Sequence, residues 1–322
     1  MFPSRRLLLA AACSSLCLPA LAQTARYPAR PVKFVVPFAP GGGSDTMARL
    51  IAQKLNEKHG YTIVVDNKPG AGGNLGAEAA LREPADGYTL LVISGSYAGN
   101  AVLSKPSFDP IAAIVPIVQF TREPSVLVVD QESPFRSLNE LVENARKQPG
   151  SVAYGTSGVG GLAHLTTEYF ASVAGIKLSH VPYKGTSAAL VDLAAGHIQM
   201  MFGGTTSAAP LIKANKVRAL AVAAPARLPS MPHVPTFEEQ GIPGFQTDLW
   251  HGLAAPRGTP PDVIAKLNAD VNAVLKSPEM VARLASDGVE PGGGTPQRFG
   301  DAIRGDMERW KAIVQQAGIK LN

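Results

Sequence analysis

"VVPFAPGGGSD", Val35 to Asp45, decides the architecture. An apolar run stops at Pro37. Three glycines follow, and Ser44-Asp45 open a segment in which Met47, Leu50, Ile51 and Leu55 recur at helical spacing. Strand, glycine turn, helix is a layout that presents backbone N–H groups to an anion. Ser44 or Asp45 is the expected N-cap. A P-loop would need Gly-Lys-Ser/Thr, and no lysine stands there. The dinucleotide fingerprint would need glycine where Thr46 stands, and "PGAGGNLG" (69–76) misses it at Leu75. No cofactor is expected; a tight turn without a ligand is the plain alternative.

Against that alternative, the layout recurs. "VAYGTSGVGG" (Val152 to Gly161) is again a short strand and glycine turn, and Leu162, Leu165, Tyr169 and Phe170 give the next helix its apolar face. Around each turn, strands alternate with helices: "YTIVVDN", "AEAALRE" and "ADGYTLLVIS" after the first, "LSHVPYKG", "ALVDLAAGHIQMMFGG" and "VRALAVA" after the second. This pace predicts parallel α/β sheets. Between the halves, "IVPIVQF" and "SVLVVD" are two apolar runs separated by "TREP", read as a crossing between lobes. "DLWHGLAAP" reads as the returning strand. Helices are expected at 138–148, capped by Ser137, and at 261–275, 278–286 and 296–317, the last two opened by Ser277-Pro278 and Thr295-Pro296. The expected fold class is α/β, two lobes with mixed, mostly parallel sheets and a cleft between them. Residues 23–120 plus 249–322 make one lobe and 121–248 a second, inserted one.

Ligands of open α/β sheets bind beyond the carboxyl ends of the strands. Two lobes would each turn a helix N-terminus, worth roughly +0.5 charge, toward the cleft. Two opposed anion seats suit a ligand with a carboxylate at each end. Catalysis has less support. Ser157 in "GTSGV" misses G-x-S-x-G because Val159 replaces the last glycine. His164 and Glu168, one helical turn apart, could pair on a metal, but no H-E-x-x-H exists and a packing pair is the commoner arrangement. No metal is expected. His251 reads as structural or cleft-lining, and Trp310 and Met200-Met201-Phe202 as core.

The chain has 322 residues, enough for two domains, with 45% hydrophobic and 17% charged. Residues 1–22 read as a signal peptide: Arg5 and Arg6, apolar Leu7 to Leu18, then Ala20-Leu21-Ala22 before Gln23. "SRRLLL" also fits a twin-arginine signal, so the export route stays open between that and general secretion. The 2 cysteines, Cys13 and Cys17, both lie in that segment, which excludes disulfides, thiolate metal sites and cysteine nucleophiles from the exported chain. Removing it also takes two arginines from the 30 Lys+Arg and nothing from the 25 Asp+Glu, leaving a formal +3. The basic residues form no block, so nucleic acid is not an expected partner.

Taken in order, "YPARPVKFVVPFAPGGGSDTMAR", "VVDNKPGAGGNLGAEA", "ADGYTLL", "YGTSGVGG…HL", "VPYKGTSAALVDLAAGHIQMMF" and "VRALAVA…PHVPTFEEQGIPGF" resemble the substrate-binding receptors of tripartite tricarboxylate transporters, the TctC-like or Bug family. The resemblance covers essentially the whole chain after residue 22. It implies a periplasmic-binding-protein-like fold (type II) that closes on a small carboxylate and hands it to membrane permease subunits. It implies that one carboxylate meets Phe38, Ala39, Pro40, Gly41, Gly42, Ser44, Asp45 and Thr46. The other would meet Gly155, Thr156, Ser157 and Gly158. Ser94 and Ser96, in a loop after "TLLVIS", and Pro182, Tyr183 and Lys184 of "VPYKG" are expected to line the pocket, as are His164 and Gly203. Phe38 is expected on the ligand's apolar middle. Hydroxyls of Ser44, Thr46, Ser94, Thr156 and Ser157 are candidate donors, and Lys184 is either an added charge or a solvated side chain.

Two departures stand out. Many relatives carry an aspartate after "QMMF", where Gly203-Gly204 stand here, and a T-H-x-x-N-like stretch where this chain has "SGSYAGN". Without an acid at 203, ligands with an ammonium group are expected to bind less well. Readings from other classes remain an exported enzyme working in the same cleft and a solute-sensing subunit for a signalling partner. Nothing in the sequence demands more than a monomer.

Overall fold

The computed structural model describes residues 27–104 and 106–319; the expected signal peptide lies outside them. In chain order the elements are β1 (Val32–Val36), α1 (Gly43–His59), β2 (Ile63–Asn67), α2 (Asn74–Leu81), β3 (Thr89–Ser94), α3 (Gly95–Leu103) and β4 (Ile114–Asp130). Then come α4 (Leu138–Lys147), β5 (Ala153–Thr156), α5 (Leu162–Ala174), β6 (Ser179–Pro182), α6 (Thr186–Ala194), β7 (Met200–Gly204), α7 (Thr205–Lys213) and β8 (Val217–Val222). The chain returns through β9 (Asp248–Pro256) and ends with α8 (Pro261–Leu275), α9 (Pro278–Ser286), β10 (Glu290–Pro291) and α10 (Pro296–Ala317).

The strands run in the order β2-β1-β3-β9-β4-β7-β5-β6, with β8 and β10 also pairing β4. Each lobe holds a parallel triple with its first strand central: β1 lies between β2 and β3, and β5 between β6 and β7. The apolar runs of β1 (VKFVV) and β3 (TLLVIS) suit strands covered on both faces, while β2 and β6 at the ends of the order are more exposed. Antiparallel β9 and β4 join the triples.

"TREP" does not interrupt the chain. β4 is one 17-residue strand, pairing β9 from Ile114 to Pro124, β7 from Ser125 and β8 from Val126. Its prolines are tolerated because the ladder with β9 is irregular at Pro116, and because β4 changes partner after Pro124. Thr121, Glu123 and Ser125 alternate along β4 and are all buried, so one face of this strand is polar inside the molecule.

Three local expectations need correction. The N-cap of α1 is Gly42, not Ser44 or Asp45, which occupy the first turn. From there the Asp45 carboxylate reaches back to the Gly41 N–H at 2.9 Å, one residue before the amide that the acid of a capping box takes. "SGSYAGN", expected to begin as a loop, is the start of α3; Tyr97 and Ala98 bury one side of a segment whose glycines and serines otherwise read as a turn. "TTSAAPLIK" holds a helix the sequence reading omits, α7, because Pro210 inside it reads as a stop.

Separate apolar cores fill the lobes, around Phe34, Ile51 and Leu267 in one and Phe170, Phe202 and Phe237 in the other. A third cluster bridges them: Trp310 of α10 is fully buried against Leu162 and Leu165 of α5.

Candidate functional site

Both glycine turns face the same cleft, and the lobes are closed over it. The Ala39 N–H donates to the Lys184 carbonyl at 3.2 Å, Ser187 Oγ donates to the Pro40 carbonyl at 2.7 Å, and the Leu162 N–H donates to Ser96 Oγ at 3.2 Å. A Cβ on Gly158 would lie 3.0 Å from the Gly72 Cα, so backbone meets backbone across the gap. At φ +137°, Gly158 also holds a conformation that side-chain-bearing residues rarely adopt.

Inside is a narrow cavity of about 40 Å³. The β1–α1 turn contributes Phe38, Gly42, Gly43 and Ser44, and the β3–α3 junction Ser94 and Ser96. The facing lobe contributes Ser157, Leu162 and Ala163 from β5–α5, Thr186 of α6, and Gly203, Gly204 and Ser207 from β7–α7. Glu123, Leu249 and His251 of the connecting strands form the floor. First-turn amides such as those of Gly43, Ser44 and Ala163 have no carbonyl partner inside their own helices. The walls are thus hydroxyls and helix N-termini, with no lysine or arginine among the described lining residues. Chemically, that is a donor-rich seat for an anion.

Residues 47–319 match the sequence profile of the tripartite tricarboxylate transporter family receptor, TctC. The chain belongs to this receptor family. Among similar proteins, Protein BugT of Bordetella pertussis is 36% identical over 92% of this chain and 91% of its own. The structure of R. palustris Rpa4515 with adipate superposes with a TM-score of 0.88 at 37% identity, covering 91% of this chain and 99% of that one. MatC of Rhodopseudomonas palustris with bound malate gives 0.85 at 32%, covering 89% and 100%. The periplasmic binding protein fold expected from the sequence is the fold of these neighbours.

Within this TctC-family receptor the structure sorts the expected site residues into three groups. Phe38, Gly42, Ser44, Ser94, Ser96, Ser157 and Gly203 line the cavity. Ala39, Pro40, Gly41 and Lys184 instead form the seam between the lobes. Lys184 acts through its carbonyl while its side chain is exposed, so the added-charge reading of Lys184 does not hold. Pro182 is an exposed strand end, and Thr46 faces a separate groove of about 620 Å³ among α1, α6, α7 and α9.

The third group holds the turns in shape from behind. Asp45 accepts from the Gly41 N–H, Arg49 Nε at 3.0 Å and Asn67 Nδ2 at 2.9 Å. Desolvation opposes its charge, but these hydrogen bonds outweigh it and keep the carboxyl below its ordinary pKa. In the other lobe, Thr156 Oγ1 receives the Gly158 N–H at 3.2 Å and bonds His180 Nε2 at 2.7 Å. Thr156 is therefore occupied internally and is not a ligand donor. Gly155 is wedged against Ile198 and Ala189, and the Tyr183 hydroxyl donates to Asp192, turned away from the cleft. His164 Nδ1 accepts the Gly160 N–H at 3.2 Å, and its ring stacks on His180 with centroids 4.1 Å apart. Glu168, its suspected metal partner, accepts from the Tyr154 hydroxyl at 2.5 Å instead. Burial, then the His164 ring, lower His180 to about 4.

Glu123, Thr186, Gly204, Ser207, Leu162 and Ala163 were not anticipated. The signal for Glu123 was present: in "FTREPSV" polar residues alternate along a segment otherwise built for a buried strand. Its carboxyl reaches the N-terminus of α7, where Oε2 accepts the Thr206 N–H at 2.5 Å and the Thr205 hydroxyl at 2.7 Å. No acid stands at 203, but the floor beside it is not without one. The acid comes from the neighbouring strand. His251, 3.8 Å from Glu123 Oε1, is lowered to about 4 by burial and is neutral at pH 7, so the two are not an ion pair.

Proposed function

We propose that this protein is a periplasmic solute-binding receptor. It captures a small organic acid anion, a dicarboxylate by preference, for the permease subunits of a tripartite transporter. It works as a binding protein, not an enzyme, and as a monomer. Residues 23–120 plus 249–322 and residues 121–248 move as the two lobes, and β4 and β9 are the connections that flex.

One observation carries the reading: opposed strand–glycine–helix turns, one per lobe, enclose a cavity whose walls offer donors and no cation. Each carboxylate of a ligand is held by first-turn amides and serine hydroxyls, Gly43, Ser44 and Ser94 on one side, Ser157 and Ala163 on the other. Phe38 covers the chain between them. Only the closed form engages both ends, so the ligand shifts the lobes toward closure. The adipate and malate named for Rpa4515 and MatC support this ligand class. Among the described residues no helix is long and apolar enough to cross a membrane.

A thermal-shift screen of mono-, di- and tricarboxylates tests it. A true ligand at 100 times its Kd adds about 2.7 kcal/mol of stability. Stabilisation by at least one dicarboxylate, and less by the matching monocarboxylate, is expected. No shift with any carboxylate, or product formed at catalytic rates, would overturn the reading.

A further inference from the structure

Glu123 is, with His251, one of only two ionisable side chains among the described residues lining the cavity. Its side chain is fully buried. Oε2 is satisfied by Thr205 and Thr206, but Oε1 has no hydrogen-bond partner in the protein. His251 Nδ1 is too distant at 3.8 Å and is engaged with Thr121 Oγ1 at 3.2 Å. A buried carboxylate oxygen left unpaired is unfavourable, so its partner is sought in what enters the cleft. The surroundings preserve the oxygen's position. A Cβ on Gly204 would lie 2.6 Å from Oε1, so only glycine leaves the carboxylate where it is.

The same carboxylate fills the N-terminus of α7. A ligand carboxylate finds that helix end already occupied, which leaves it the amides of α1 and α5, while the floor offers an acceptor.

We propose that Glu123 Oε1 accepts a hydrogen bond from a hydroxyl or ammonium group on the ligand's carbon chain, making the receptor selective for hydroxy- or amino-substituted dicarboxylates over unsubstituted ones. This rests on the carboxylate-receptor reading above. It reverses the expectation, drawn from Gly203, that ammonium-bearing ligands are disfavoured. Burial raises the carboxyl's pKa, while the donors from Thr205 and Thr206 oppose that rise. A donor from the ligand on Oε1 favours the ionised form and offsets part of that rise.

Isothermal titration calorimetry on the purified protein tests this with succinate, L-malate and L-aspartate, and with adipate and L-2-aminoadipate. Within the chain length that binds, the donor-bearing acid is expected to bind at least about tenfold tighter than the plain one. Glu123→Gln keeps the shape and the bonds to Thr205 and Thr206 but turns an amide NH2 toward the ligand. It is expected to abolish the preference for the ammonium-bearing acid over the plain acid of the same length, because an ammonium group has no acceptor to offer the amide, whereas a hydroxyl can turn to accept from it. The wild-type ranking decides alone should the variant not fold. Plain acids binding as tightly as substituted ones, or Glu123→Gln weakening every ligand equally, would sink the selectivity proposal and leave the receptor reading standing. Binding of none of the five would also sink the selectivity proposal, and the receptor reading would then be decided by the wider carboxylate screen.

Discussion

The two glycine turns occupy the same place in matching parallel triples, yet they are held by different chemistry. In the first lobe an ionised carboxylate, Asp45, gathers Gly41, Arg49 and Asn67 behind the turn. In the second, uncharged groups do the same work: the Thr156 hydroxyl, and a His164–His180 stack kept neutral by burial. The helices that follow the third strand of each triple differ as well. The N-terminus of α3 opens on Ser94 and Ser96, while that of α7 is closed by Glu123. A shared backbone layout thus leaves the charge distribution free to differ, and the cleft is asymmetric although its frame is nearly symmetric. Under the proposed function, that asymmetry is what would orient a ligand.

The largest expected effect tests whether both turns must close together. Gly185→Asn retains a good N-cap residue for α6 but adds a side chain where Ala39 lies 3.0 Å from the site of a Cβ. Ligand affinity should fall about 100-fold, some 2.7 kcal/mol, with the unliganded melting temperature little changed. Unchanged affinity in calorimetry would show that the seam is not needed for binding.

Next comes the contrast between charged and uncharged supports. Asp45→Ala removes hydrogen bonds to a charge and should cost about 2–3 kcal/mol in denaturant unfolding, against about 1–2 kcal/mol for Thr156→Val. Equal costs would dissolve the distinction.

Acid should separate the two turn supports too. His180 is lowered to about 4 when folded, so between its unfolded value, about 6.5, and pH 4 the unfolded chain holds the extra proton and stability is lost as pH falls. His251 acts with the same sign in the same window. Asp45, lowered when folded, contributes stability above its unfolded value, about 3.9, that is lost only as pH drops through the folded value. Glu123, raised, acts oppositely, losing stability as pH rises through its folded value. His180→Gln should therefore flatten the decline between pH 6.5 and 4 by about 2 kcal/mol after solvent screening, and Asp45→Asn should alter only the more acid limb. Unfolding curves across pH decide this; a His180→Gln profile parallel to wild type would count against it.

Ser96→Ala strips the acceptor of the Leu162 N–H across the closed cleft and should weaken ligand binding about fivefold, near 1 kcal/mol. Smallest of all, Lys184→Ala should leave affinity within twofold, because only the carbonyl of that residue joins the seam. A tenfold loss on titration would restore the side chain to the site.

Elements whose signal is local were legible. The three C-terminal helices begin at prolines, and Ser277 and Thr295 cap the last two. Val32–Val36 and Val217–Val222 are apolar runs between turn residues. The α7 helix was not legible, because Pro210 carries a stop signal that burial of Ala208 and Ala209 overrides. Of the expected site residues, Phe38, Gly42, Ser44, Ser94, Ser96, Ser157 and Gly203 line the cavity, whereas Asp45, Thr156 and His164 brace the turns from behind.

Chain order alone therefore determined the frame: two strand–turn–helix units, the positions of their glycines, and the family to which they belong. Those depend on contacts a few residues long, where spacing and backbone freedom are written directly in residue type. Only the tertiary structure decided which hydroxyls face the cavity and that the acid on its floor comes from β4. A side chain's direction there depends on strand register and on a glycine some 80 positions away, at 204, leaving room for Glu123.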